Sequence, residues 1–190
     1  AQRARLLGAT RDFFRHRGLL EVETPALVAY AVSDPHLANI PARLADGRRL
    51  WLHTSPEYHM KRLLAAGAPD IWQLGKVFRD GEAGRRHEPE FTLLEWYRRD
   101  CTLRALADES CELIATLASV VGRQLAAPAY LSYRELFLSA VGIDPLNADA
   151  VMLQGANLTV IDVHTMGCQH PGIEEVLFLE VGHHGHIEFG

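Results

Sequence analysis

The stretch Phe78 to Tyr97, FRDGEAGRRHEPEFTLLEWY, sets two apolar, strand-like ends around a charged loop that contains glycine. The residues leading into it, IWQLGKVFR, alternate so that Gln73, Gly75, Val77 and Arg79 share one face of an extended chain. On the way out, EFTLLEWY puts Phe91, Leu93, Glu95 and Tyr97 together in the same manner. Paired as a hairpin, one sheet face then offers a guanidinium, an aromatic ring, a carboxylate and a phenol. Those groups suit a phosphate, a flat base and an ammonium. An ordinary antiparallel hairpin with a charged tip fits the same pattern, and geometry alone leaves both readings open.

Outward from the hairpin, helices and short strands alternate. Leu6, Leu7, Thr10, Phe13 and Phe14 mark one face of an opening helix that stops at Gly18, where glycine accepts the left-handed capping geometry. Leu19 to Val22 read as a strand. Residues 31 to 49 read as loop, with Asp34-Pro35 and Asp46-Gly47 as turns, and Leu50 to His53 as another strand. Ser55 reads as a helix N-cap, Pro56 as the first helical residue and Gly67 as the stop. After the hairpin, Leu106, Leu113, Ile114, Leu117, Val120 and Val121 give a long amphipathic helix, expected to cover one face of the sheet. Ser132 and Glu135 form a capping box for a short helix ending near Gly142. An antiparallel sheet flanked by helices is the α+β class.

With 190 residues, 48% of them hydrophobic, the chain can bury one sizeable core. No apolar run reaches membrane-spanning length and no signal peptide is seen, which points to the cytoplasm. Cys101, Cys111 and Cys168 form no CxxC and read as free, reduced thiols. A formal net charge of −5 argues against a general nucleic-acid binder. Arg79, Arg85, Arg86, Arg98 and Arg99 cluster around the hairpin, whereas Arg3, Arg5, Arg11, Arg15 and Arg17 read as the solvated face of the first helix.

Phe78-Arg79, then His87, Pro89-Glu90-Phe91 and Glu95-Trp96-Tyr97 resemble motif 2 of class II aminoacyl-tRNA synthetases of the lysine type. Arg17-Gly18-Leu19-Leu20-Glu21-Val22-Glu23-Thr24-Pro25 resembles motif 1, where a strand runs to a proline at a dimer interface. Thr54-Ser55-Pro56-Glu57-Tyr58-His59-Met60-Lys61-Arg62-Leu63 resembles the substrate-binding segment between them. Three ordered segments at family spacing are far more specific than the arginine or the Pro-Glu-Phe alone. Within this family the chain is most similar to the truncated paralogues that act as elongation factor P–(R)-β-lysine ligases. Residues 1–150 take the place of a class II catalytic domain with motifs 1 and 2, incomplete at its C-terminus, and 151–190 are unmatched.

The resemblance implies a ligase that joins the carboxylate of (R)-β-lysine or lysine to the α-phosphorus of ATP, then passes the acyl group to a lysine side chain of elongation factor P. The transition state gathers charge on phosphate oxygens, so fixed cations and Mg2+ matter more than a protein nucleophile. Arg79 would hold the α-phosphate through a fork that lysine cannot copy. His87 would approach the terminal phosphates, Phe91 would stack on adenine, and Asp80, Gly81 and Glu88 lie where the family contacts ATP. Gly81 stands where glutamate is usual, with Glu82 next door, and Glu88 where asparagine is usual, which brings a carboxylate near the nucleotide. For the amino acid, the resemblance implies Glu57, Glu95 and Tyr97, with Ser55 and Pro56 shaping the same wall. A solvated loop histidine, a plain core aromatic and a carboxylate that only favours its helix N-terminus are the competing readings of His87, Phe91 and Glu57.

The chain begins directly at the helix before motif 1, with no anticodon-binding barrel ahead of it, and this favours the β-lysine ligase over a tRNA synthetase; the same resemblance implies that tRNA is not a partner. A homodimer through Leu19 to Pro25 follows from motif 1. The family's magnesium-binding glutamates and glycine-rich motif 3 find no counterpart in residues 151–190, so little or no pyrophosphate exchange is expected of the chain as given. That tail carries His164, Cys168, His170, His183, His184 and His186, whose spacing matches no zinc pattern, so no metal site is expected there. Two other functions compete with the ligase: a lysyl-tRNA synthetase relative with another acceptor, and an inactive module kept for binding or regulation.

Overall fold

The computed structural model describes residues 1–34, 37–81 and 88–149. These fall into two compact units, each described by itself. One holds Ala1–Asp100 with Thr116–Gly122, the other Cys101–Ala115 with 123–149. Pro35, Glu82, Arg85, Arg86, His87, Cys168 and the tail histidines lie outside the described residues.

The first unit opens with helix α1, Gln2–His16, which buries Thr10, Phe13 and Phe14. Its end is set by Gly18 at φ +74°, and Leu19 N–H returns to the Phe14 carbonyl at 3.1 Å. The strands β1 (Leu20–Glu21), β2 (Leu27–Val28), β3 (Pro41–Arg43) and β4 (Arg49–Leu52) follow, then α2 (Glu57–Ala65) and the hairpin strands β5 (Ile71–Phe78) and β6 (Glu90–Tyr97). They make two three-stranded sheets, ordered β1-β5-β6 and β2-β4-β3. The single antiparallel sheet expected from the sequence is therefore two, and β1 joins β5 in parallel. Between β1 and β5 the chain makes the long crossover that a parallel pair demands, and β2 to β4 form within it. Residues expected to be loop contain β3, an edge strand that starts on Pro41 and owes its form to pairing with β4.

The hairpin register, Val77 opposite Phe91, Gln73 opposite Glu95 and Ile71 opposite Tyr97, sorts side chains onto two faces. Trp72 and Trp96 belong to one face, and Phe14 packs on both. Its ring is stacked on Trp72 at 4.8 Å and tilted against Trp96 at 5.5 Å. Phe13 meets Phe14 edge-on, and the Arg17 guanidinium lies 3.5 Å over the Phe13 ring. With α1 occupying this face, Gln73, Phe91, Glu95 and Tyr97 belong to the opposite one.

In the second unit, α3 (Leu103–Val120) begins; its last residues belong to the first unit. Its buried side chains include Ala107, Ser110, Leu113 and Leu117, so the stripe runs through small residues that a search for large apolar ones overlooks. Helix α4 (Tyr133–Val141) has the expected capping box between Ser132 and Glu135 and ends at Gly142 with φ +74°. Among the described residues no helix is long and apolar enough to cross a membrane.

Candidate functional site

Residues of the hairpin face meet at two ends of one surface. At the loop end, the ladder continues past β5, with Arg79 N–H donating to the Pro89 carbonyl at 2.9 Å. This keeps Arg79 on the face of Phe91, and its guanidinium carbon lies 5.0 Å from the centre of that ring. Asp80 pairs back to Ala38 through its amide at 2.9 Å, and its carboxylate accepts the Gly81 N–H at 2.9 Å. Gly81 has φ +75°, a left-handed geometry that disfavours the glutamate usual in the family. Glu88 is exposed, two residues before the returning strand β6. His87 lies outside the described residues.

At the other end a short polar chain forms. The Ser55 hydroxyl donates to Glu95 Oε2 at 2.9 Å, and the Tyr97 hydroxyl donates to Glu95 Oε1 at 2.6 Å. The same Ser55 oxygen accepts the Glu57 N–H at 3.0 Å, so one serine ties the start of α2 to the hairpin. Expected as the N-cap, Ser55 lies one residue earlier: the cap position is Pro56, which is fully buried. Glu57 pairs with Lys61 one turn on, yet its charge is felt by both Glu95 and Tyr97. Arg79, Phe91, Glu95 and Tyr97 share one sheet face, as the alternation predicts, and Glu57 acts on Glu95 and Tyr97 from the start of α2.

What holds the Ser55 segment in place was not legible beforehand. His53, buried at the end of β4, has Nε2 2.7 Å from the Lys76 carbonyl, and its own carbonyl accepts the Phe78 N–H at 3.0 Å. These two contacts fasten the turn before α2 to β5. A histidine ending a short strand carries no signal for such a non-local bond. Gln73, directly across from Glu95, was assigned to the face but given no role; it is 5% exposed.

Burial is the largest influence on Glu95 and pushes its carboxyl above the ordinary 4.5, against the hydrogen bonds from Tyr97 and Ser55; Glu57 adds to the rise and Lys61 opposes it. The Tyr97 hydroxyl is raised by burial first, then by its bond to Glu95, and so remains a donor. A carboxyl whose folded value exceeds its unfolded one contributes stability that is complete below 4.5 and is lost as pH rises through the folded value. Glu95→Gln is therefore expected to gain stability relative to wild type as pH is raised from 4.5, measured by urea unfolding across that window. A difference that stays flat with pH would contradict this.

The arginines are largely occupied. Arg98 pairs with Asp70 at 3.1 Å. On α1, Arg3 reaches Thr92 at 2.9 Å, Arg5 the Val120 carbonyl at 2.7 Å, Arg11 Glu21 at 3.1 Å and Arg15 Asp12 at 2.8 Å. Arg3, Arg5, Arg11 and Arg15 are exposed, as the expected solvated face requires, and each also makes one of these contacts. Cys101 and Cys111 are free thiols. Among the described residues no group of three or more His, Cys, Asp or Glu gathers as a metal cage, and no magnesium ligand is assigned to them.

A family model described as tRNA synthetases class II (D, K and N) matches residues 1–144. The chain is 46% identical over 160 residues to an elongation factor P–(R)-β-lysine ligase of Yersinia enterocolitica, covering 82% of this chain and 48% of that protein. A ligase of the same name from Haemophilus influenzae is 46% identical over 153 residues, covering 78% and 46%. The chain thus spans about half the length of the curated relatives it matches. Among solved structures, an asparaginyl-tRNA synthetase from Pyrococcus horikoshii complexed with asparaginyl-adenylate superimposes with a TM-score of 0.56. At 24% identity over 63% of this chain and 27% of that one, it shows a shared fold.

Proposed function

The chain belongs to the class II tRNA synthetases of the D, K and N type, and from that premise we propose that its hairpin face binds ATP and a lysine-type diamino acid for adenylate formation. The observation that carries the reading is the division of one surface into a cationic, aromatic end and a carboxylate, phenol end. Arg79 beside Phe91 fits an anionic phosphate next to a flat base. Glu95 and Glu57, with Tyr97 between strand and helix, fit ammonium groups. A carboxylate oxygen of the amino acid would form the new bond to the α-phosphorus while the bond to the leaving pyrophosphate breaks. Arg79 would bind the α-phosphate oxygens and neutralise their growing charge. Asp80, Gly81 and Glu88 line the approach of the nucleotide, and His87 belongs to the same proposal. Ser55 and Pro56 would complete the wall of the amino-acid pocket. Mg2+, where bound, would supply further phosphate neutralisation.

Transfer of the acyl group to a lysine amine of elongation factor P, with loss of AMP and a proton, is the proposed second half-reaction; (R)-β-lysine or lysine would be the amino acid. Leu20 and Leu27 are exposed on edge strands β1 and β2, which supports the proposed homodimer through Leu19 to Pro25. A cytoplasmic setting accords with an acceptor that serves translation.

Titration calorimetry tests the pocket directly. Lysine or (R)-β-lysine should bind the chain detectably, and Arg79→Lys should weaken ATP about tenfold while leaving the diamino acid unaffected, because a point charge replaces the bidentate fork. If neither diamino acid binds, the assignment of the carboxylate end fails. Equal ATP binding by wild type and the lysine variant would remove Arg79 from the phosphate role.

A further inference from the structure

The Gln73 carboxamide is a polar group of the hairpin face that the proposed chemistry leaves without a task. It is 5% exposed, and its Oε1 is buried without a hydrogen-bond partner. Such an orphan acceptor is disfavoured unless something provides a donor. Gln73 lies across the ladder from Glu95, whose two oxygens are already engaged by Ser55 and Tyr97. Next on the same face is Gly75, and a Cβ there would come within 3.2 Å of Gln73 Nε2. The amide therefore lies along the strand over the glycine, where a side chain would crowd it. Its terminal torsion is broad and roughly two-fold, so the amide can exchange the positions of its oxygen and nitrogen.

We infer that Gln73 is a specificity-determining contact, whose carbonyl oxygen accepts a hydrogen bond from one ammonium of the bound diamino acid. This rests on the diamino-acid pocket proposed above. An ammonium brings three donors, and Glu95 and Glu57 draw that charge to this end of the face, so a donor reaches the orphan oxygen when the ligand arrives. Gly75 leaves the amide uncrowded, since a Cβ there would press on it.

Gln73→Met separates this role from a structural one, since it keeps the length of the side chain and removes the amide. Affinity for lysine and (R)-β-lysine, measured by calorimetry, is expected to fall about tenfold, as for a lost hydrogen bond to a charged group. The melting temperature without ligand should stay level or rise, because the orphan acceptor is gone. Norleucine and 6-aminohexanoate each lack one of lysine's two ammonium groups. The methionine substitution should leave unchanged the affinity of whichever analogue lacks the ammonium that Gln73 contacts. Gly75→Ala, which displaces the amide without altering its chemistry, is expected to weaken lysine several-fold and keeps the test open if the methionine variant does not fold. Normal lysine affinity in the variants, with the Glu95→Gln variant impaired, overturns the role of Gln73 and leaves the pocket standing. An equal loss for lysine and both analogues also overturns it, by showing that the amide only shapes the wall. A wild-type chain that binds neither diamino acid overturns the pocket and this contact together.

Discussion

Phe14→Ala is expected to destabilise the first unit by about 3–5 kcal/mol, the usual range for emptying a buried aromatic site. Phe14 is fully buried, and its ring joins α1 to both hairpin strands through Trp72 and Trp96. Two tryptophans held by strands cannot close over the space a ring leaves, so the cavity should persist. Denaturant unfolding followed by tryptophan fluorescence would measure it. Tyr58→Ala serves as the control: Tyr58 is 55% exposed, and its loss should stay within about 0.5 kcal/mol. A small effect at Phe14 would mean that α1 is not what secures the back of the functional face.

Glu95→Gln should weaken the binding of lysine or (R)-β-lysine by about 1.5–3 kcal/mol, roughly ten- to 150-fold in Kd. The substitution preserves shape and removes the charge. Ser55 and Tyr97 already hold the carboxylate in one orientation, so little ordering remains to be done on binding. Glutamine would turn an NH2 group toward one of these two hydroxyls, or toward the incoming ammonium, and both are poorer contacts. ATP affinity measured in the same experiment should be unchanged, because Arg79 and Phe91 occupy the other end of the face. Equal diamino-acid binding by wild type and variant would show that Glu95 only braces Ser55 and Tyr97.

The two effects are connected through the sheet. Even-numbered residues of β5 and β6 turn Trp72 and Trp96 to α1, and odd-numbered residues turn Gln73 and Glu95 to the opposite face. A one-residue slip in register would exchange the two sets, so packing on one face fixes chemistry on the other. Phe14 is on this account the mechanical support of a sheet face it does not touch.

Local pattern determined a good deal by itself. Period-2 alternation placed Arg79, Phe91, Glu95 and Tyr97 on one face, the Ser132 and Glu135 pair marked the start of α4, and Gly18 marked the end of α1. Each depends on residues near in sequence, whose geometry is set by backbone sterics and short hydrogen bonds. The resemblance in motifs 1 and 2 likewise reached the right family from contiguous residues. Tertiary structure alone decided the rest. The parallel pairing of β1 with β5, the strands within residues 31 to 49, the His53 anchor on the Lys76 carbonyl, the tie of Arg98 to Asp70 and the orphan oxygen of Gln73 all join or isolate residues far apart in the chain. Neither hydropathy nor spacing encodes such relations, because a polar group's partner, or its lack of one, is settled only when the sheets and helices have closed around it.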